Sequence, residues 1–269
     1  MKLTEAIKRL QDAGAPDAAF EAREIFIRLG GMSRLDLISP AAECQSEAVI
    51  SAIERRASRE PLGYILGEAA IYRETYKVTP AVLIPRPDTE ILIDYGVKNL
   101  PRGARFLDIC TGSGCVAIST LRNTDSTTAL AIDISSGALE VARENSSRLG
   151  TEGRLELIEA DALECSTDEQ FDAILSNPPY IAENVYKGLQ KEIFFEPEIA
   201  FVGGDDGAKF YRELTKKYKN NLKDGGFIAY EIGYDQADVL RGIAEENGMS
   251  CEVIKDLSGN DRVAVLKIK

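Results

Sequence analysis

From residue 103 onward, the chain alternates short apolar runs with longer runs of helical period, as in "ARFLDI" followed by "GCVAISTLRN". Strands separated by helices of this length form βαβ units, which build a mainly parallel sheet with helices on both faces. The last two apolar runs, "CEVIKDL" and "RVAVLKIK", lie close in sequence, so one of them should run antiparallel. The pattern therefore predicts a doubly wound α/β fold over residues 85–269.

The residues before this alternation predict a different organisation. Residues 1–61 carry apolar side chains at helical spacing, such as Leu3, Ile7 and Leu10, and predict a small helical domain. Residues 62–84 are rich in Tyr, Ile, Val and Thr without a helical period, which predicts a β-hairpin linker. The following "PRPDTE" should open a helix capped by Asp88 or Thr89. A later helix, "GAKFYRELTKKYKNNL", should be closed by Asp224-Gly225-Gly226.

Composition excludes several classes of function. The 269 residues contain no histidine, which rules out histidine acid–base catalysis and histidine metal ligation. The five cysteines are scattered without a CxxC pair, which argues against a disulfide framework or a zinc site. A net charge of −12 disfavours a nucleic-acid partner.

No apolar run approaches the roughly 20 residues that cross a bilayer, and the N-terminus does not resemble a signal peptide. We expect a cytoplasmic monomer that binds neither membrane nor nucleic acid directly.

The segment "LDICTGSGC" leaves the first strand of the α/β region and enters a helix. Ligands of open parallel sheets bind at the carboxyl ends of strands, and glycines there let the backbone approach a ligand closely. A tight turn without a ligand is the alternative. The candidate cofactor-binding residues in this segment are Asp108, Cys110, Thr111, Gly112, Ser113 and Gly114.

Acidic residues at the next two strand ends favour a nucleoside ligand. Asp133 ends the second strand, where a carboxylate can accept hydrogen bonds from both ribose hydroxyls. Asp161 follows the third strand and could reach an adenine amino group, although a capping role is nearly as compatible. The GxGxxG spacing is incomplete and GK[ST] is absent, so neither a dinucleotide nor a nucleoside triphosphate is favoured. S-adenosylmethionine, which has no phosphate, suits this loop.

The segment "SNPPYI" ends the fourth strand and therefore falls on the same sheet edge. Two adjacent prolines stop a strand and stiffen the chain. The Asn177 side-chain oxygen and the Pro178 carbonyl can both accept hydrogen bonds from an NH2 group, and Tyr180 can stack on a planar group. The segment resembles the [N/D]PP[Y/F] motif of amino-methyltransferases, and the resemblance implies a clamp that positions a conjugated nitrogen for methylation. A plain turn is the alternative.

Seven motifs that occur in a fixed order narrow the choice of protein family. They are "EPLGYILG", "IPRPDTE", "DICTGSGCVAI", "SNPPYI", "FEPEIAFVGGDDGAKFYR", "YEIGYDQ" and "DLSGNDRVAV". Together they resemble the PrmC/HemK family of release factor glutamine methyltransferases. The resemblance implies a Rossmann-like class I methyltransferase domain that uses S-adenosylmethionine, a helical N-terminal substrate-docking domain, and peptide chain release factors as protein partners. The implied reaction methylates the side-chain amide of the glutamine in a Gly-Gly-Gln tripeptide.

The resemblance also implies roles for individual residues. The expected catalytic residues are Asn177, Pro178 and Tyr180. The expected cofactor-binding residues are Arg86, Asp108, Cys110, Thr111, Gly112, Ser113, Gly114, Asp133, Ile134, Asp161, Ala162 and Asn177. The expected substrate-binding residues are Asn177, Pro178, Pro179, Tyr180, Glu196 and Pro197. Pro85-Arg86-Pro87 and Glu90 should close over the cofactor, and no metal is expected.

Two departures and three alternatives accompany the resemblance. Cys110 stands where the family usually has glycine, and Asp88 where it usually has glutamate. A side chain at position 110 could crowd the methionine end of the cofactor. The alternatives are an adenine amino-methyltransferase acting on DNA or RNA, a non-catalytic module that binds release factors or ribosomes, and a nicotinamide oxidoreductase. The acidic charge and the incomplete glycine pattern disfavour the first and the third.

Overall fold

The computed structural model describes residues 1–39 and 42–269. The chain divides into two compact units. The helical unit comprises Met1–Ala69 and Gln190–Phe195, and the sheet unit comprises Ala70–Leu189 and Glu196–Lys269. The segment Gln190–Phe195 thus belongs to the helical unit although it lies far along the chain.

The helical unit is built on amphipathic helices, as the periodicity predicted. These helices are α1 (Leu3–Asp12), α2 (Ala18–Arg28), α3 (Glu47–Ala57) and α4 (Leu62–Leu66). Each of the three longer helices turns one apolar stripe inward, so that Leu10, Phe26 and Ile53 are completely buried in a common core. The side chain of Asp17 accepts a hydrogen bond from the Phe20 N–H at 3.3 Å, which caps the start of α2.

A buried ion cluster holds Gln190–Phe195 within the helical unit. The Arg56 side chain is 2% exposed, and its guanidinium donates to both carboxylate oxygens of Glu21, at 2.9 and 3.0 Å. Arg56 also donates to Glu192 at 3.1 Å, and Arg59 donates to the same carboxylate at 2.6 Å. Glu192 therefore anchors a segment that approaches the helices from a distant part of the sequence.

The sheet unit contains a seven-stranded sheet in the described residues, with strand order β5-β4-β3-β6-β7-β9-β8. Its strands are β3 (Arg105–Ile109), β4 (Thr128–Asp133), β5 (Leu155–Glu159), β6 (Phe171–Ser176), β7 (Leu222–Glu231), β8 (Met249–Lys255) and β9 (Asp261–Ile268). The pairs from β5 through β7 are parallel, whereas β9 runs antiparallel to both of its neighbours. This confirms the predicted parallel sheet with one antiparallel strand.

Helices cover both faces of this sheet, which confirms the doubly wound α/β class. The helices are α5 (Thr89–Asn99), α6 (Cys115–Arg122), α7 (Ser136–Leu149), α8 (Glu183–Tyr186), α9 (Lys209–Tyr218) and α10 (Ala237–Glu246). Alternate side chains of β3 enter opposite cores: Leu107 packs with α9 and α10, and Phe106 packs with α5 and α6. No helix among the described residues is both long and apolar enough to span a membrane.

Three local predictions were wrong. Residues 62–66 form α4 rather than strand, and the hairpin is confined to β1 (Glu68–Ile71) and β2 (Glu74–Lys77). Tyr and Ile suit either state, and burial of Ile65 in the helical core decides for helix. Residues 224–226 lie inside β7 beside a register shift and do not close α9, which ends at Tyr218. Asp88 occupies the first position before α5 but makes no capping hydrogen bond, because it pairs with Arg262 at 3.3 Å.

We predict that Arg56→Met lowers the free energy of unfolding by about 3–5 kcal/mol, because the largely buried Glu21 carboxylate would lose its cation, whereas Glu192 would keep Arg59. Arg55→Met is the matched control, since Arg55 pairs with Glu60 on the surface of the same helix. The control should cost no more than about 1 kcal/mol. Urea unfolding of the full chain, followed by circular dichroism, measures both variants. Equal losses would contradict a structural role for the buried cluster.

Candidate active site

The carboxyl ends of the parallel strands border one cavity of about 270 Å³ within the sheet unit, here called the larger cavity. Its wall is built by the loops that follow four neighbouring strands, β3, β4, β5 and β6. These loops contribute Cys110, Thr111, Gly112, Ser113, Asp133, Ile134, Ser135, Ala160, Asp161, Ala162, Leu163, Asn177 and Pro179. The strand order reverses between β3 and β6, and open α/β sheets bind ligands at such a switch point.

The loop after β3 presents its backbone to this cavity. The Gly112 N–H donates to Asp133 Oδ2 at 2.8 Å, and the Thr111 N–H donates to the Ile132 carbonyl at 3.1 Å. A Cβ added at Gly112 would meet nothing within 4 Å, so this stretch borders open space. Gly114 has another reason to be glycine: its φ is +82° and a Cβ there would lie 2.8 Å from Ile118. Gly114 therefore shapes the loop from outside the cavity.

Asp108 lies beneath the loop and does not line the cavity. Its Oδ2 accepts hydrogen bonds from the Thr111 hydroxyl at 2.6 Å and from the Ala117 N–H at 3.2 Å. Its Oδ1 is buried and has no hydrogen-bond partner among the described residues. Burial raises the pKa of Asp108 to about 7, with Thr111 and Ala117 opposing the shift. The carboxyl ties the loop to the start of α6.

Asp133 and Asp161 are the two acids of the cavity wall. Asp133 accepts the N–H of Ser135 at 2.9 Å in addition to that of Gly112. Burial raises the pKa of Asp133, and these backbone donors oppose the shift. Asp161 accepts the N–H of Leu163 at 2.8 Å. Each carboxylate is thereby fixed in orientation while retaining lone pairs for a ligand.

The lining of the larger cavity fits a cationic nucleoside cofactor better than a phosphorylated one. Its acidic and basic side chains are Asp133, Asp161 and Lys209, so carboxyl groups outnumber amino groups. Apolar groups such as Val82 and Phe210 complete the wall and suit the face of an adenine ring. A pyrophosphate would need a concentration of cations or free loop N–H groups, whereas the Gly112 N–H is engaged by Asp133.

A second, smaller cavity of about 60 Å³ adjoins the same strand ends. Its lining includes Arg86, Asn177, Tyr180, Phe201 and Glu231. Asn177 lines both cavities. Its Nδ2 donates to the Thr89 hydroxyl at 3.3 Å, and its Oδ1 accepts no hydrogen bond from the part of the chain that the structure describes. The amide is therefore oriented with its acceptor available for a ligand.

Glu231 also lines the smaller cavity, and the sequence analysis assigned it no role. It ends β7 in the same way that Asp133 ends β4, and the rule applied to strand-end acids could have found it. The Tyr180 hydroxyl donates to its Oε1 at 3.3 Å. Burial raises the pKa of Glu231 to about 7, with the Thr89 hydroxyl opposing the shift. Thr89, predicted only as a helix cap, accepts a hydrogen bond from the Asn177 amide.

Arg86 and Glu196 form a partly buried ion pair beside these cavities. Glu196 also accepts the Ile84 N–H at 2.9 Å, which fastens the "IPRP" segment. Arg86 lines the smaller cavity, Pro85 and Pro197 line the larger one, and neither Glu196 nor Pro178 is among the lining residues. Glu90, expected over the cofactor, instead accepts the Tyr72 N–H at 2.8 Å.

Metal ligation has no support in the described residues, where no group of three or more Cys, Asp and Glu side chains is placed to hold an ion. The aspartates of the glycine-rich segment 203–207 illustrate this. Asp206 accepts the Ala208 N–H at 3.0 Å and pairs with Arg212. The segment is a turn before α9.

Cys110 adopts a left-handed conformation, with φ of +61°, while lining the larger cavity. Such a φ strains residues that have a Cβ and explains why glycine suits the position. Burial, together with the nearby carboxylates of Asp133 and Asp108, raises the pKa of the Cys110 thiol far above its usual range. The thiol therefore remains protonated and contributes its volume rather than its reactivity.

We predict that Cys110→Gly is more stable to unfolding than Cys110→Ala by about 1 kcal/mol, because both lose the thiol but only glycine relaxes the left-handed strain. Urea denaturation of both variants measures the difference. An alanine variant as stable as the glycine variant would show that the conformation carries no strain.

Comparison with known proteins agrees with this geometry. The family model described as Methyltransferase small domain matches residues 87–198, and that described as PrmC N-terminal domain matches residues 2–67. The ribosomal protein L11 methylase of Lactobacillus delbrueckii subsp. bulgaricus superposes with a TM-score of 0.53 at 21% identity, covering 71% of this chain and 84% of that one. This likeness shows the fold alone.

Similarity to curated proteins extends over nearly the whole chain. The release factor glutamine methyltransferase of Caulobacter vibrioides is 37% identical over 99% of this chain and 94% of its own length. That of Neisseria gonorrhoeae is 38% identical over 92% of each chain. Identity at this level over both units confirms the resemblance carried by the ordered motifs. The chain belongs to the release factor glutamine methyltransferase family.

Proposed function

We propose that this protein transfers a methyl group from S-adenosylmethionine to the side-chain amide nitrogen of the glutamine in the Gly-Gly-Gln motif of peptide chain release factors. The observation that carries the proposal is the position of Asn177, which lines both a cavity suited to the cofactor and a smaller cavity suited to an amide. A residue in that position can hold the accepting nitrogen beside the methyl donor. Membership of the family supports the same reaction.

The larger cavity would hold the cofactor, which supplies, when bound, an activated methyl group on a positively charged sulfur. Asp133 would accept hydrogen bonds from the ribose hydroxyls, and its fixed orientation lowers the entropic cost of doing so. Asp161 and Ala162 would border the adenine, and the loop from Cys110 to Ser113 would border the methionine part. Asp108 and Gly114 would act indirectly by holding the shape of that loop.

The smaller cavity would hold the glutamine amide. An amide nitrogen is a poor nucleophile because its lone pair is delocalised into the carbonyl. Asn177 Oδ1 would accept a hydrogen bond from the amide and direct the nitrogen toward the methyl group. The Pro178 carbonyl, predicted as a second acceptor, lines neither cavity. The bond from Asn177 Nδ2 to Thr89 keeps the acceptor oxygen, rather than the amino group, available for this task. Tyr180 would stack on the planar amide.

The charge of the chain and the position of Asn177 disfavour the alternatives. The net charge of −12 opposes a nucleic-acid substrate. A non-catalytic binding module would have no need of one asparagine placed between two cavities. We further propose that the helical unit contributes to docking of the release factor, and that the protein acts as a cytoplasmic monomer.

The first experiment is mass spectrometry of a purified release factor after incubation with this protein and S-adenosylmethionine. The expected result is one added methyl group on the glutamine of the Gly-Gly-Gln motif. Cofactor binding without methylation would direct the search toward other amide-bearing proteins. Absence of cofactor binding would contradict the proposal.

We predict that Asn177→Ala lowers the rate of methyl transfer by about two to three orders of magnitude, because a positioned polar contact to the reacting group is lost. Its affinity for S-adenosylmethionine, measured by calorimetry, should change little. Asn220→Ala, at an exposed position, is the matched control and should change neither quantity. Parallel loss of rate and cofactor affinity would show that Asn177 serves the cofactor instead.

We predict that Asp133→Asn weakens cofactor affinity more than it slows methyl transfer, the reverse of the result expected for Asn177→Ala. Loss of a charged acceptor should weaken cofactor affinity about tenfold to a hundredfold, corresponding to about 1.5–3 kcal/mol. The methylation rate at saturating cofactor should fall much less. Calorimetry and single-turnover kinetics separate the two quantities, and an unchanged affinity would contradict the assignment of Asp133 to the ribose.

A further inference from the structure

We infer that Glu231 is a further catalytic residue, whose carboxylate accepts the proton that the substrate amide nitrogen loses on methylation. This inference rests on the proposed function and adds to it a destination for the proton. The sequence analysis gave Glu231 no role, and it lies on a different strand from the Asn-Pro-Pro-Tyr segment.

The placement of Glu231 is the first argument. The residue is 1% exposed and lines the smaller cavity together with Asn177 and Tyr180. Its Oε1 accepts the Tyr180 hydroxyl, whereas its Oε2 is buried and has no hydrogen-bond partner among the described residues. A buried carboxyl with few polar partners is costly, and Glu231 forms part of the cavity wall, so a ligand N–H group brought to this wall is a suitable complement.

The chemistry of methylation requires a proton acceptor. The glutamine nitrogen forms the new N–C bond with its own electron pair, while the pair of the broken S–C bond stays on the donor sulfur. The nitrogen then carries one surplus proton, which leaves for Glu231 and converts the carboxylate to a carboxylic acid. When the product leaves, this proton passes to solvent and the carboxylate is restored.

Glu231 stands out among the groups that could receive this proton. The Asn177 amide and the Pro178 carbonyl are neutral acceptors that do not take up protons near neutral pH. Burial raises the pKa of Tyr180, so its phenol is already protonated, and Arg86 is a permanent cation. Among the described residues lining the smaller cavity, only Glu231 therefore ends in a group that can accept a proton near neutral pH.

The charged and titratable neighbours of Glu231 affect the pKa of its carboxyl group. Titratable or charged groups face it from several elements, namely Asp88, Cys115, Tyr180, Tyr211 and Arg262, with Arg86 across the cavity. Arg262 is shared with Asp88 and Asp256, at 3.3 and 3.1 Å, which weakens its hold on Glu231. Burial then dominates and raises the pKa of Glu231 to about 7, in the range where a general base is most effective.

The test compares Glu231→Gln with the wild-type protein in single-turnover methylation of a release factor between about pH 6 and pH 9. Glutamine retains an acceptor for the Tyr180 hydroxyl, so a merely structural role for Glu231 would leave the rate unchanged. We expect the wild-type rate to rise through about pH 7, and the variant to be slower by about two orders of magnitude without this pH dependence. Affinities for cofactor and release factor should stay within about threefold. Glu252→Gln, at an exposed strand position, is the matched control.

A readout independent of activity accompanies the kinetics. In protein labelled with ¹³C at the glutamate carboxyl carbons, we expect one resonance to titrate at about pH 7 and to be absent from Glu231→Gln. Should the variant fail to fold, the wild-type resonance and the wild-type pH profile still decide the question. A variant as fast as wild type, a wild-type rate independent of pH, or a loss confined to substrate affinity would each overturn the inference. Absence of methylation by the wild-type protein would instead overturn the proposed function.

Discussion

The parallel pairing of β3 with β6 is the constraint on which the site depends. Ile109 lies opposite Ser176 in the register, and the Ser176 hydroxyl donates to the Ile109 carbonyl at 2.6 Å. The two strands therefore end side by side, and the loops that begin with Cys110 and Asn177 leave the sheet at adjacent positions. A shift of one residue would turn the alternate side chains of β6 to the other face and separate the two loops. The site is thus positioned by backbone pairing and buried apolar residues, and loop contacts refine it.

Two buried carboxyls lie near strand ends of the sheet unit. Asp108 lies near the end of β3 and Glu231 at the end of β7, with β6 between the two strands, and burial raises the pKa of each to about 7. Their unfolded-state values lie near 4, so the folded state favours the protonated forms. The stability that they contribute is fully present below about pH 4 and is lost as the pH rises toward 7. At neutral pH the sheet unit therefore lacks part of this stability, as is common where buried ionisable groups serve a function.

Sequence reasoning captured the periodic parts of the molecule and the loops at strand ends. The alternation after residue 103 determines a parallel sheet, and strand-end positions then place the glycine loop and Asn177 together without any long-range knowledge. Sequence reasoning failed for local structures and pairs that depend on contacts between residues far apart in the chain. Residues 62–66 are helical because Ile65 packs into the helical core, and the Arg86–Glu196 pair joins residues far apart in sequence. Glu231 lies within the quoted motif "YEIGYDQ", and although the motif alone assigns it no role, its position at the end of β7 obeys the rule that identified Asp133.

The loop after β3 holds Cys110 in a left-handed backbone conformation that is unfavourable for any residue with a Cβ. A left-handed backbone with a Cβ persists only where surrounding contacts leave no other conformation. Those contacts are present: the Thr111 N–H is bound to Ile132, the Gly112 N–H to Asp133, and the Thr111 hydroxyl to Asp108. Because these hydrogen bonds fix the two residues that follow Cys110, the backbone at Cys110 cannot relax to a less strained conformation. Cys110 therefore stays in this conformation in the wall of the larger cavity, where its thiol remains protonated.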